Sequence, residues 1–318
     1  MEKNKPIAQL RVNDETEGFY ILRGAYPKTT AAGKPFLSAV LSDRTGEIEA
    51  KVWDYGGPIG EKEQGKAVKI RGIVTEYRGA KQLNVERIRL AGNNDDIDVS
   101  ALVPTAPIDS EAAWEELGAI VESISDADYR AVCRLILERR GERLKTIPAA
   151  KSVHHAFRSG LLMHTLNMLR AADFFAAMYA DTLDRSLLLA GTLLHDIGKR
   201  SEFDLSEFGL VSDYSVKGEL LGHLVMGAQE AAEAAKELGI PEEKTVLLQH
   251  MILSHHGEPE FGAAVRPMCA ESELLSELDK LDSRMEIYRE ALSDLNEGEF
   301  SQRIFALDKK IYRHGGIG

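Results

Sequence analysis

The sequence predicts a multidomain fold of α and β structure, a small antiparallel β-barrel followed by an all-α domain. Three observations carry that expectation. Short alternating segments separated by turn residues fill positions 1–92. From Ser110 onward the apolar residues recur instead at helical spacing. Between the two, Asn93 to Pro107 is polar, marked by prolines and without period, so residues 93–109 read as a linker.

Five strands are expected, in the order Phe19–Leu22, Pro35–Leu41, Ile48–Trp53, Val68–Val74 and Gln82–Ile88. The turns between them are Ala32-Gly33-Lys34, Asp43-Arg44-Thr45-Gly46, Tyr55-Gly56-Gly57-Pro58 and Arg78-Gly79. The run from Leu41 to Asp54 resembles the hairpin of strands two and three in nucleic-acid-binding OB-folds. That resemblance implies a single strand lying across this face, with Phe36, Trp53 and Tyr77 as stacking aromatics and Arg71, Lys81 and Arg87 as phosphate contacts. Core packing is the competing use of each aromatic.

A chain of 318 residues with 44% hydrophobic and 28% charged content has room for two or three domains. Met1-Glu2-Lys3-Asn4-Lys5-Pro6 lacks the apolar stretch of a signal peptide, and no apolar run approaches the roughly 20 residues that span a bilayer. Cys133 and Cys269 stand far apart without CxxC spacing, which fits a reducing compartment and argues against a thiolate zinc site. A cytoplasmic protein with no membrane partner is the expectation. The net charge of −12 disfavours nucleic acid at first sight, but its distribution is uneven. Residues 1–100 hold 16 Lys+Arg against 15 Asp+Glu, and the remainder 23 against 36. Lys66 to Arg89 is locally basic, with seven cations against Glu76 and Glu86. An acidic enzyme body carrying a basic module is one way to build a nuclease; a solvated charge mix on strands is the other reading.

The helical part opens with a hairpin over 110–150, for which Ser110 and Ser125 suit N-caps. It continues as a domain over 151–293 and ends in a tail, 294–318. One helix opens at Gly160 and runs to about Leu183. The apolar run Leu187–Leu194 reads as a buried helix ending at His195-Asp196, with Gly198 as its stop. A third helix starts at Leu220, a fourth spans Thr245–Gly257, and a fifth, Glu271–Ala291, carries Asp279 and Asp282 on one face. Eight of the nine histidines fall between His154 and His256, several near helix ends inside apolar stretches. Burying them separately is costly, and a metal centre would satisfy several at once.

His164, His195-Asp196 and Asp279 match the H…HD…D signature of the HD-domain metal-dependent phosphohydrolases, and His223 and His255 resemble the additions of its two-metal branch. With an OB-type barrel ahead of an all-α HD domain, the chain resembles the YhaM-type 3′→5′ exoribonucleases over nearly its whole length. The His154-His155 pair, Ser254-His255-His256-Gly257 and the stretch Gly298 to Asp308 add to the likeness. The resemblance implies two divalent ions, one on His164, His195 and Asp279 and one on His223 and His255, with Asp196 bridging. Imidazoles and carboxylates without thiolate suit Mn²⁺, with Fe²⁺, Mg²⁺ and Zn²⁺ as alternatives. Hydroxide produced at such ions would attack the terminal phosphodiester of single-stranded RNA, releasing nucleoside 5′-monophosphates. Lys199 would neutralise phosphoryl charge, or serve only as a helix C-terminal cation. His155 and His256 would contact phosphate or protonate the leaving oxygen. Activity on single-stranded DNA and self-association stay open. The rival readings are a small-nucleotide phosphohydrolase and a non-catalytic single-strand-binding protein with structural metal.

Overall fold

A computed structural model describes residues 5–316 except 93, 151–156, 207 and 294, and the side chains of 140, 142 and 212 are likewise outside it. It divides into two compact units. The first comprises the residues up to Thr105 together with Ser206–Phe208, and the second comprises the rest.

The first unit is a closed five-stranded barrel of β1 (Glu15–Thr29), β2 (Pro35–Asp43), β3 (Gly46–Trp53), β4 (Ala67–Tyr77) and β5 (Ala80–Leu90), in the order β1-β2-β3-β5-β4. Alternation decides which face is core. In β3, Ile48, Ala50 and Val52 point inward, while Glu49 and Trp53 point out. Leu22, Leu37, Leu41, Val68, Ile70 and Leu83 fill the interior. The barrel is not wholly antiparallel as expected, since β3 meets β5 in parallel to close it. β1 is much longer than Phe19–Leu22. Its first half pairs with β4 and its second with β2, and a bulge between Leu22 and Gly24 turns the strand from one to the other. The stretch expected to be irregular carries a one-turn helix, α1 (Val99–Leu102), capped by Asp98.

The second unit is helical. It contains α2 (Ser110–Glu122), α3 (Ala127–Leu144), α4 (Gly160–Met178), α5 (Arg185–Leu194), α6 (Lys199–Glu202), α7 (Val216–Leu238), α8 (Glu242–Ser254) and α9 (Ala270–Ser293). A hairpin absent from the sequence reading, β6 (Phe203–Leu205) with β7 (Val211–Tyr214), separates α6 from α7. Leu117, Ile136, Leu162, Leu188, Ala231, Met251 and Leu278 belong to one core, so α2 and α3 share an interior with the histidine-bearing helices. The caps differ from expectation by one residue. Asp109 caps α2 and Asp126 caps α3, each accepting two backbone N–H bonds. A carboxylate does the same work as the neighbouring serine hydroxyl. Among the described residues no helix is long and apolar enough to cross a membrane.

Candidate metal centre and nucleic-acid face

Helix ends place the histidines. α5 buries every residue from Ser186 to Leu194 and stops at His195, and the chain then turns into α6. α8 stops at His255 in the same way. Gly198 is not the stop that was expected, because its φ is an ordinary −62°. Space requires the glycine instead: a Cβ there would stand 2.1 Å from the His223 carbonyl oxygen. The close approach brings the His195-Asp196 turn against α7.

Four imidazoles converge on one carboxylate. His195 Nε2 lies 3.3 Å and His164 Nε2 3.8 Å from Asp196 Oδ2. His223 Nε2 lies 3.5 Å and His255 Nε2 3.6 Å from Asp196 Oδ1. Asp196 therefore divides the set into two halves. Asp279 joins the first half, with Oδ1 3.3 Å from His164 Nε2. His256 joins the second: its donor nitrogen and those of His223 and His255 all lie within 4.8 Å of one another. Lys199 Nζ donates to Asp196 Oδ2 at 2.6 Å, which sets its ammonium against the shared carboxylate. His155 lies outside the described residues. His250 stands apart, accepting the Met268 N–H at Nε2 over 3.0 Å.

The remaining ring nitrogens explain the aim of the four. His195 Nδ1 bonds the Thr192 carbonyl at 2.7 Å and His255 Nδ1 the Ile252 carbonyl at 2.8 Å. His164 Nδ1 bonds Asp282 at 2.7 Å, and His223 Nδ1 bonds Glu202 at 2.9 Å. Every Nδ1 is thus occupied by an oxygen, which turns each Nε2 toward the centre. Sequence reasoning missed Glu202 and the two carbonyls. No motif signals them, since their roles arise from tertiary contact.

Asp196 Oδ1, His223 Nε2, His255 Nε2 and His256 Nδ1 are four of the seven buried side-chain polar atoms without a hydrogen-bond partner among the described residues. Leaving one such atom unsatisfied costs about 1–3 kcal/mol, so four in one spot need a common partner. Donor atoms around an ion with bonds of roughly 2.1 Å stand about 3–3.4 Å apart. The 3.3 Å spacings of His195 to Asp196 and His164 to Asp279 match this, while the His223, His255 and His256 donors are set wider, within 4.8 Å. Divalent ions fit this set.

Burial and close charges set the ionisation of the cluster. Burial works against the Asp196 carboxylate, but Lys199 and the imidazoles of His195 and His223 hold it well below its usual range. Burial also depresses Lys199, and Asp196 more than restores it, so the ammonium stays charged. Burial, helped by the neighbouring His195, keeps His255 well below the ordinary histidine value and so neutral. Burial lowers His164, yet Asp279 and Asp282 on opposite sides of the ring carry it up to about 10, so an ion bound at Nε2 would have to displace a proton there.

On the barrel, a groove of about 600 Å³ is lined by Trp53, Tyr55, Lys69, Arg71, Arg87 and Arg89, with Glu17 and Glu86. It runs over the end of β3 and the outer surface of β4 and β5. The cross-strand pairs Lys69 with Arg89 and Arg71 with Arg87 assemble its four cations. Trp53 is half exposed and packs on its cross-strand partner Phe36, ring centroids 5.1 Å apart. Tyr77 and Lys81 lie away from this groove at the β4–β5 turn, where Lys81 Nζ donates to the Leu10 carbonyl at 2.7 Å. Arg89 is held by Asp95 in a two-pronged bond of 2.6 and 2.7 Å.

The description "HD domain" matches residues 161–284, and "OB-fold nucleic acid binding domain" matches residues 28–91. The "3'-5' exoribonuclease YhaM" of Geobacillus sp. (strain WCH70) is 37% identical over 311 residues, which is 97% of this chain and 94% of that protein. Its counterpart in Bacillus licheniformis is 36% identical over 316 residues, 97% of each chain.

Proposed function

Because the chain belongs to the YhaM family of 3′–5′ exoribonucleases, we propose that it shortens single-stranded RNA from the 3′ end by metal-dependent hydrolysis, releasing nucleoside 5′-monophosphates. One observation carries the reading: four imidazoles, each anchored through Nδ1, turn their Nε2 atoms toward opposite oxygens of Asp196.

His164, His195 and Asp279 would hold one ion, and His223, His255 and His256 the other, with Asp196 shared between them. Bound there, divalent ions supply Lewis acidity at the phosphoryl oxygens and lower the pKa of a nucleophilic water. Mn²⁺ is the first choice for a mixed imidazole and carboxylate set without thiolate. Membership in a group of three imidazoles favours a donor role for His256 over phosphate contact or proton transfer. Lys199 keeps Asp196 ionised and offsets charge developing on the phosphodiester. Asp282 acts through His164 by fixing which nitrogen faces the centre. On the barrel, Trp53 packed on Phe36 offers a base a stacking surface, and Arg71 and Arg87 offer phosphate contacts.

A 5′-labelled single-stranded RNA incubated with the protein and Mn²⁺ should give a ladder shortened one nucleotide at a time, with 5′-monophosphates in the soluble fraction. Hydrolysis of small nucleotides with the RNA left intact would replace this reading by that of a small-nucleotide phosphohydrolase.

A further inference from the structure

Glu202 ends α6, is 7% exposed, and belongs to no motif of the family resemblance. Its Oε1 receives two hydrogen bonds from one residue, the His223 backbone N–H at 3.0 Å and the ring Nδ1–H at 2.9 Å. The backbone N–H is available because α7 is broken immediately before it. Gly222 adopts φ 71° and ψ 163°, a conformation open almost only to glycine. The carboxylate thus caps the helix segment that restarts at His223 and, with the same oxygen, holds that residue's ring. Glu202 is itself fixed. Its carbonyl accepts the Ser215 N–H at 2.8 Å, and a Cβ on Gly218 would stand 2.2 Å from that carbonyl oxygen.

We infer that Glu202 is a positioning residue, which aims His223 at Asp196 and thereby sets the affinity of the ion that His223 shares with His255 and His256. The inference rests on the two-ion reading above. It is specific to one half of the centre, because the other imidazoles take their aim elsewhere: His195 and His255 from backbone carbonyls, and His164 from Asp282. Loss of an outer carboxylate partner typically weakens metal binding by about 10–100-fold. That loss should fall on one ion and spare the other.

The test is calorimetric titration of metal-free full-length protein with Mn²⁺ alone, with bound metal counted by elemental analysis. Wild type should take two ions. Glu202→Ala should keep one at wild-type affinity and bind the other about 10–100-fold more weakly. Glu202→Gln retains a carbonyl oxygen able to accept both bonds, and should recover most of that loss. His223→Ala should weaken the same ion, and adding Glu202→Ala to it should change nothing further, since the two residues act as one. Glu202→Met, of similar size but without an acceptor, replaces the alanine variant if that one does not fold. Wild-type affinity for both ions, equal weakening of both, or an undiminished effect in the His223→Ala background would each overturn the inference. A wild-type protein that takes up a single ion would overturn the two-ion reading first, and the inference with it.

Discussion

Asp279 and Asp282 lie one turn apart on α9 and meet the same imidazole from opposite sides, which gives them different chemistry. Asp279 faces the Nε2 that converges on Asp196, and Asp282 bonds the Nδ1 behind it. Asp279→Asn should therefore lose metal and activity together, by more than about 100-fold. Asp282→Asn should cost about 10–100-fold, as removal of an outer partner does. Metal counts and RNA turnover on both variants decide, and the reverse order would exchange the two roles. Sequence spacing put both carboxylates on one face and could not separate them, because the distinction depends on which ring nitrogen each one reaches. Cys133 gives a second test at this scale. Complete burial pushes its thiol up to about 12. A thiol reagent at pH 8–9 should therefore modify only Cys269 in the native protein and reach Cys133 at the rate of unfolding. Because the folded value lies above the ordinary one, the stability that the buried thiol contributes is intact below about pH 9 and is lost as the pH rises toward 12. Rapid reaction of both thiols in the native state would show that Cys133 is accessible.

At the scale of elements, the centre depends on how closely α6 approaches α7. Gly198→Ala would press a methyl group onto the His223 carbonyl from 2.1 Å, and backbone must give way on one side or the other. Overpacking of this kind costs about 1–3 kcal/mol. The variant should melt earlier when metal-free and bind the His223-side ion more weakly, as thermal denaturation and Mn²⁺ titration would read. An unchanged melting temperature would mean that the helices can part freely. Helix caps test another link. Asp109→Ala should cost about 1 kcal/mol. Asp126→Ala should cost more, because Asp126 also accepts from Lys244 at 2.6 Å. Most helices and all five barrel strands were legible from periodicity. Legibility failed where tertiary contact overrides local pattern. The break at Gly222 hides inside an apolar helical run, the β6–β7 hairpin is too short to show a period, and β1 continues past Gly24 and Pro27, residue types that ordinarily weaken a strand pattern.

At the scale of the whole molecule, charge and core are both partitioned. The barrel and the helical unit have hydrophobic cores that share no residue. The cations that can meet a nucleic-acid backbone gather on β4 and β5, while the remainder of the chain is strongly acidic. That imbalance was visible in the sequence. The groove itself was not, because it depends on the register that sets Arg71 beside Arg87 and Lys69 beside Arg89. A chain beginning at Ala106 keeps every proposed metal donor, and should still cleave a small activated phosphodiester while degrading long RNA poorly. Salt dependence gives the quantitative form of this division. For single strands, log K falls with log salt by roughly 0.7 per phosphate neutralised. Arg89 is tied to Asp95 by a two-pronged bond, whereas Lys69 and Arg71 stand in looser pairs that phosphate can replace, with Glu17 at 3.5 Å and Glu86 at 3.7 Å. With Arg87, three groove cations therefore engage, and a slope of about −2 is expected for the intact protein. Arg87, which has no carboxylate partner among the described residues, should account for about 0.7 of that slope, so Arg87→Ala should bring it to roughly −1.4. The shortened chain should show a slope nearer zero. Equal slopes and equal RNA turnover with and without the barrel would mean that the strand is captured by the helical unit, and that the basic groove on β4 and β5 serves another purpose.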